Sequence, residues 1–161
     1  MPERALADAF TAPVVIASVE VPTDQMSTFS AFTDAGVYSR WLGVPVRIDD
    51  GDFSCTLEWG TEVRGRYELV AAPRLLVMRW DFDDGKEPEP GSELTAYLQV
   101  FPVPAGSRVE VHQLVDTAQQ AEFMEGAWTL VLGRLKAGIV EALDARADVA
   151  GRQPRAKRRP T

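Results

Sequence analysis

The chain has 161 residues, 45% of them hydrophobic and 25% charged, with a formal net charge of −7. That is enough chain for one domain with a real core, and an acidic body argues against a nucleic-acid-binding surface. One cysteine, Cys55, and one histidine, His112, exclude an intrachain disulfide, a zinc set and a Cys-His or Ser-His-Asp machine built on any other imidazole.

Residues 1–12 read as a leader with acids at Glu3 and Asp8 and no long apolar core, so not as a secretory signal. Residues 14–21 are rich in β-branched side chains and read as a strand ended by Pro22. Thr23 is placed to cap a short helix with Met26, Phe29 and Phe32 on one side. Asp34 is placed to cap a second, in which Tyr38, Trp41 and Leu42 share a face and Gly43 supplies the stop.

The next stretch is β. Asp50-Gly51 between residues 44–49 and 52–59 is a hairpin signature. Phe53, Cys55, Leu57 and Trp59 alternate with polar residues and are expected inward. The same parity puts Val63, Gly65, Tyr67 and Leu69 inward, then Leu76, Met78, Trp80 and Phe82. A loop over 83–92 leads to Leu94, Ala96, Leu98 and Val100 facing in, and after a turn at 102–106 to Val109, Val111 and Gln113.

Residues 121–146 carry an apolar stripe of Met124, Trp128, Val131, Leu132, Leu135, Ile139, Ala142 and Leu143, the pattern of a long amphipathic helix laid on the sheet. Residues 148–161 are Gly, Pro and basic residues with a net charge of +4, leaving −11 on the rest. They read as a disordered, solubilising tail rather than a nucleic-acid or membrane contact. The division is therefore a leader over 1–12, one domain over 13–147 and a tail over 148–161. No run approaches the roughly 18 apolar residues of a membrane span, and a cytoplasmic location is expected.

The run Gly51-Asp52-Phe53, Gly65 within Val63-Arg64-Gly65-Arg66-Tyr67, the segment from Pro73 to Trp80, and Gly106-Ser107-Arg108-Val109-Glu110-Val111 together resemble the START-like (SRPBCC) superfamily. They are most similar to the branch homologous to the C-terminal domain of the heat-shock-protein-90 ATPase activator. Trp41-Leu42 and Trp128 also fit, and the resemblance covers roughly residues 13–145. Here Ala127 separates Gly126 from Trp128, where the family often has Gly directly before the Trp. The resemblance implies an α+β helix-grip fold, a curved antiparallel sheet wrapped around a long C-terminal helix with two short helices after the first strand. It also implies a cavity that often holds an apolar ligand.

The candidate lining is Trp41, Phe53, Cys55, Leu57, Tyr67, Met78, Trp80, Leu98, Val111, Gln113, Trp128 and Leu132. Such a lining offers broad apolar contact, with Tyr67 and Gln113 as polar handles. No catalytic residue, metal ligand or cofactor is expected. The strand acids Glu58, Glu68 and Glu110 fall on the outward parity, His112 shares a face with Glu110, and the 81–85 segment lacks calcium-loop ligands. The expected function is binding of a small hydrophobic ligand. The alternatives are a polyketide cyclase- or aromatase-like enzyme and a co-chaperone-like interaction module. Outward Leu75, Val77 and Tyr97 are candidates for a homodimer surface.

Overall fold

The computed structural model describes residues 14–83 and 94–152. The sequence expectations for the leader, the 83–92 loop, the end of the tail and the side chain of Phe82 lie outside the described residues, apart from Asp83 at the end of a strand. In chain order the elements are β1 (Val14–Val21), α1 (Gln25–Thr33), α2 (Ala35–Leu42), β2 (Val46–Asp49), β3 (Asp52–Thr56), β4 (Glu62–Ala71), β5 (Leu75–Asp83), β6 (Leu94–Val103), β7 (Gly106–Leu114) and α3 (Ala118–Arg152). The seven strands form one antiparallel sheet in the order β1-β7-β6-β5-β4-β3-β2. It curves around the long helix, with the two short helices after the first strand, which is the helix-grip architecture.

Local chemistry explains most boundaries. Asp24, rather than Thr23, caps α1, its carboxylate accepting from the Ser27 amide at 2.6 Å. That bond to a backbone N–H holds the Asp24 carboxyl below its usual range. Asp34 ends α1 and caps α2, accepting from the Val37 amide at 3.1 Å. Phe29 and Phe32 are buried, whereas Met26 points to solvent. Asp50 and Gly51 both adopt positive φ, 48° and 84°, which makes the tight mirror-image turn that matches strand twist.

Strict alternation fails at two places. β3 ends at Thr56, so Leu57 and Trp59 sit in the turn to β4, and Trp59 is 56% exposed rather than inward. A bulge in β4 shifts the register between Tyr67 and Leu69, so that Tyr67 faces Met78 and Leu69 faces Val77. One extra residue turns every later side chain over, and Leu69 is exposed on the outer face. Val77 is flanked there by Leu69 and Tyr97 in adjacent strands and is buried. Of the three residues expected to form an outer apolar surface, Tyr97 alone is exposed; Leu75 is half-buried.

The helix α3 has 35 residues, so it starts earlier and ends later than its apolar stripe suggests. At 1.5 Å per residue it is about 52 Å long. Met124, Trp128, Leu132 and Leu135 are buried against the sheet, Val131 and Ile139 are half-buried, and Ala142 is exposed. Gly138 permits a close approach to α2, not to the sheet: a Cβ there would lie 2.5 Å from the Cβ of Trp41. The core thus joins the inner faces of β1, β5, β6 and β7 to one side of α3, which runs closest to β1, and α1 and α2 cover one end.

Candidate functional site

Beside this core lies an apolar cavity of about 90 Å³. Its sheet wall is Val46, Phe53, Cys55, Val63, Met78 and Trp80. Tyr38 and Leu42 of α2 close one side, and Leu57, Trp59 and Thr61 of the β3–β4 turn close another. The helix contributes Phe123, Ala127, Trp128 and Val131. Trp59 is exposed and Phe123 is 41% exposed, so two aromatic side chains rim the opening. The turn is held by Arg134, whose guanidinium donates to Leu42 O at 3.0 Å and meets Glu58 Oε1 at 3.0 Å.

Six of the twelve residues expected from the sequence line this cavity: Phe53, Cys55, Leu57, Met78, Trp80 and Trp128. The other six stand behind it. Trp41 stacks on Tyr38 with ring centroids 4.7 Å apart and donates its indole N–H to Ala31 O at 2.8 Å. Leu98, Val111 and Leu132 are interior residues of the core. Tyr67 stacks on Phe53 and gives its hydroxyl proton to Phe32 O at 2.5 Å.

Gln113 is 0% exposed and fully engaged. Its Oε1 accepts from the indole N–H groups of Trp80 and Trp128, each at 3.1 Å. Its Nε2 donates to Thr95 O at 3.1 Å and Leu114 O at 2.9 Å. Neither Gln113 nor Tyr67 is the free polar handle the alternation suggested. Gln113 instead fixes two tryptophans edge to face, their centroids 6.2 Å apart, at the cavity wall.

Sequence reasoning missed Tyr38, Leu42, Val46, Trp59, Thr61, Val63, Phe123, Ala127 and Val131 as lining. One signal was present. Phe123, Ala127 and Val131 follow i, i+4, i+8 spacing directly beside the core stripe of Met124, Trp128 and Leu132. The apolar helix face is two stripes wide: one fills the core and the other faces the void.

The lining carries no carboxylate, imidazole or ammonium among the described residues. Burial pushes the Cys55 thiol up to about 11. Burial, with Tyr67 and Cys55 nearby, holds the Tyr38 hydroxyl far above its ordinary value. Both are therefore neutral and protonated near neutral pH. An unfolded thiol ionises near 9.0, the folded one only near 11. Stability from this group is present in full below pH 9 and is lost as pH rises towards 11. Cys55→Ala should flatten that alkaline decline, measured as urea midpoints at pH 8 and pH 10.5. An identical decline in wild type and variant would contradict a buried thiol.

A larger concavity of about 540 Å³ lies on the outer face of β2 to β5. Arg47, Arg64, Arg66 and Arg79 face Asp49, Asp52, Glu68 and Asp81 there, with ion pairs such as Arg64–Asp81 at 2.9 Å and Arg79–Glu68 at 3.0 Å. Opposite charges in equal number make this a solvated surface with no net pull on a charged ligand. His112, on the outer face, meets Glu110 Oε1 at 2.6 Å.

The family model for Activator of Hsp90 ATPase homolog 1-like proteins matches residues 22–139. A solved structure from Mesorhizobium loti is 15% identical with a TM-score of 0.67, covering 80% of this chain and 98% of that one. One from Rhodobacter sphaeroides is 18% identical with a TM-score of 0.65, covering 83% and 94%. DynU16, a protein in the dynemicin biosynthetic locus, is 17% identical with a TM-score of 0.66; the match covers 77% of this chain and 46% of DynU16. At these identities the likeness is one of fold. No curated protein matches the sequence. Among the described residues no helix is long and apolar enough to cross a membrane.

Proposed function

The chain belongs to the Activator of Hsp90 ATPase homolog 1-like family, and from that membership we propose that its domain, residues 13–147, binds a small apolar molecule in the sheet–helix cavity without chemistry of its own. The observation that carries this is the cavity: about 90 Å³, walled by aliphatic, aromatic and thiol side chains and one threonine, Thr61, and rimmed by exposed Trp59 and Phe123. Cavities lined this way stay dry and take up apolar guests of matching size. The lining supplies no carboxylate or imidazole, and burial keeps Tyr38 and Cys55 protonated, so neither serves as a base or as a thiolate nucleophile near neutral pH. The same chemistry sets the ligand class as neutral, since a charge would enter without a partner.

A ring the size of a phenylalanine side chain hides about 150–250 Å². At about 25 cal/mol per Å² that is worth about 4–6 kcal/mol, a Kd of about 0.04–1 mM. Toluene should therefore quench or shift the fluorescence of Trp80 and Trp128 saturably in that range. Ala127→Leu, which fills the void from the helix side, should abolish the response. A wild-type protein unmoved by toluene to its solubility limit would overturn the proposal.

A further inference from the structure

The cavity has one loose end. Thr61 lines it from the β3–β4 turn, one residue before β4, and is 3% exposed. Its backbone carbonyl accepts from the Leu57 amide at 2.8 Å and so closes the turn. Its side-chain hydroxyl is buried and has no hydrogen-bond partner, and it is the single lining residue whose side chain is in that state among those described. Two other polar side-chain atoms of the wall are satisfied. The indole N–H groups of Trp80 and Trp128 are taken by Gln113. Buried polar groups left unpaired are rare and costly, and a staggered rotation about one bond exchanges the Thr61 hydroxyl with its methyl group.

We propose that Thr61 is the polar anchor of the cavity, and that the occupant is a neutral, single-ring-sized molecule carrying one hydrogen-bonding oxygen, of which phenol is the simplest probe. This rests on the cavity reading above and adds a ligand class to it. The occupant's apolar body lies against Phe53, Met78 and Trp128, and its oxygen pairs with Thr61 Oγ1 once that rotation turns the hydroxyl, closed off from the void as it stands, towards it. Charged ligands are excluded because none of the lining side chains supplies a counter-charge. A hydrocarbon fits the space but leaves the hydroxyl unpaired.

The test compares phenol with toluene, which has the same number of heavy atoms, by NMR or calorimetric titration of wild type, Thr61→Val and Thr61→Ser. Valine keeps the shape and removes the hydroxyl; serine keeps the hydroxyl. Phenol should lose at least tenfold more affinity than toluene does in Thr61→Val, and Thr61→Ser should retain the preference. Without ligand, Thr61→Val should melt at the same or a higher temperature, because it deletes an unpaired group. If both probes weaken by the same factor in Thr61→Val, or if that variant melts lower, the hydroxyl is not an anchor. If toluene binds the wild type and phenol does not, the anchor falls and the cavity stands. If neither binds, both fall together.

Discussion

Gln113→Leu is expected to lower the stability of the fold by about 3–5 kcal/mol, although leucine is close in size and more apolar. The glutamine is 0% exposed and makes four hydrogen bonds, two accepted from indoles and two donated to carbonyls. Leucine leaves the N–H groups of Trp80 and Trp128 in the interior without a partner, at about 1–3 kcal/mol each. The two carbonyls lose donors as well, while added apolar contact offsets part of the loss. Gln113→Glu should be no milder: the carboxylate can accept from the indoles but cannot donate to Thr95 O or Leu114 O, and it would carry charge into the core. Chemical unfolding followed by tryptophan fluorescence reads the effect. A loss under about 1 kcal/mol would mean that the amide is dispensable.

Gly65→Ala should cost about 3 kcal/mol or more, the upper end for overpacking. A Cβ at this position would stand 2.4 Å from the carbonyl oxygen of Arg79, 2.6 Å from the ring of Phe53 and 2.7 Å from Trp80 Cβ. The first of these is backbone of the neighbouring strand, so no rotamer change relieves it. The pairing Phe53–Gly65–Trp80 across β3, β4 and β5 therefore depends on the missing side chain. Phe53 and Trp80 fill the space, and both are cavity wall. Gly126→Ala is the internal control. That glycine is exposed on α3 with nothing within 4 Å of a Cβ, so alanine should stabilise by about 1 kcal/mol through helix propensity. Urea midpoints for the pair should move in opposite directions. A harmless Gly65→Ala would show that the sheet can open there.

The order of strands and helices was legible in the sequence because period-2 and period-3.6 patterns are carried by side chains along each element. The Asp50-Gly51 turn and the Asp34 cap were legible for the same reason, since each acts within a few residues. What was hidden is what depends on partners far away in sequence. The bulge at residue 68 leaves the pattern Val63, Gly65, Tyr67, Leu69 looking regular, yet it sends Leu69 outward. Gln113 was correctly placed facing in, but its two indole partners lie 33 and 15 residues away. Trp41 has the composition of a cavity residue and is instead packed between its own helix, α2, and α3 at Gly138. Half of the expected lining is at the cavity because parity separates inside from outside and does not separate core from void. Thr61 could not be singled out at all, since an unpaired hydroxyl is a property of its surroundings rather than of its spacing.

If the void between the sheet and α3 is a binding site, an apolar ring should be visible in it. A crystal structure of the protein grown or soaked with toluene tests it most directly. One ring-shaped density is expected between Phe53, Met78, Trp128 and Val131, with the bonds from Trp80 and Trp128 to Gln113 unchanged. A toluene-saturated crystal in which those side chains close on one another, with no density between them, would contradict it.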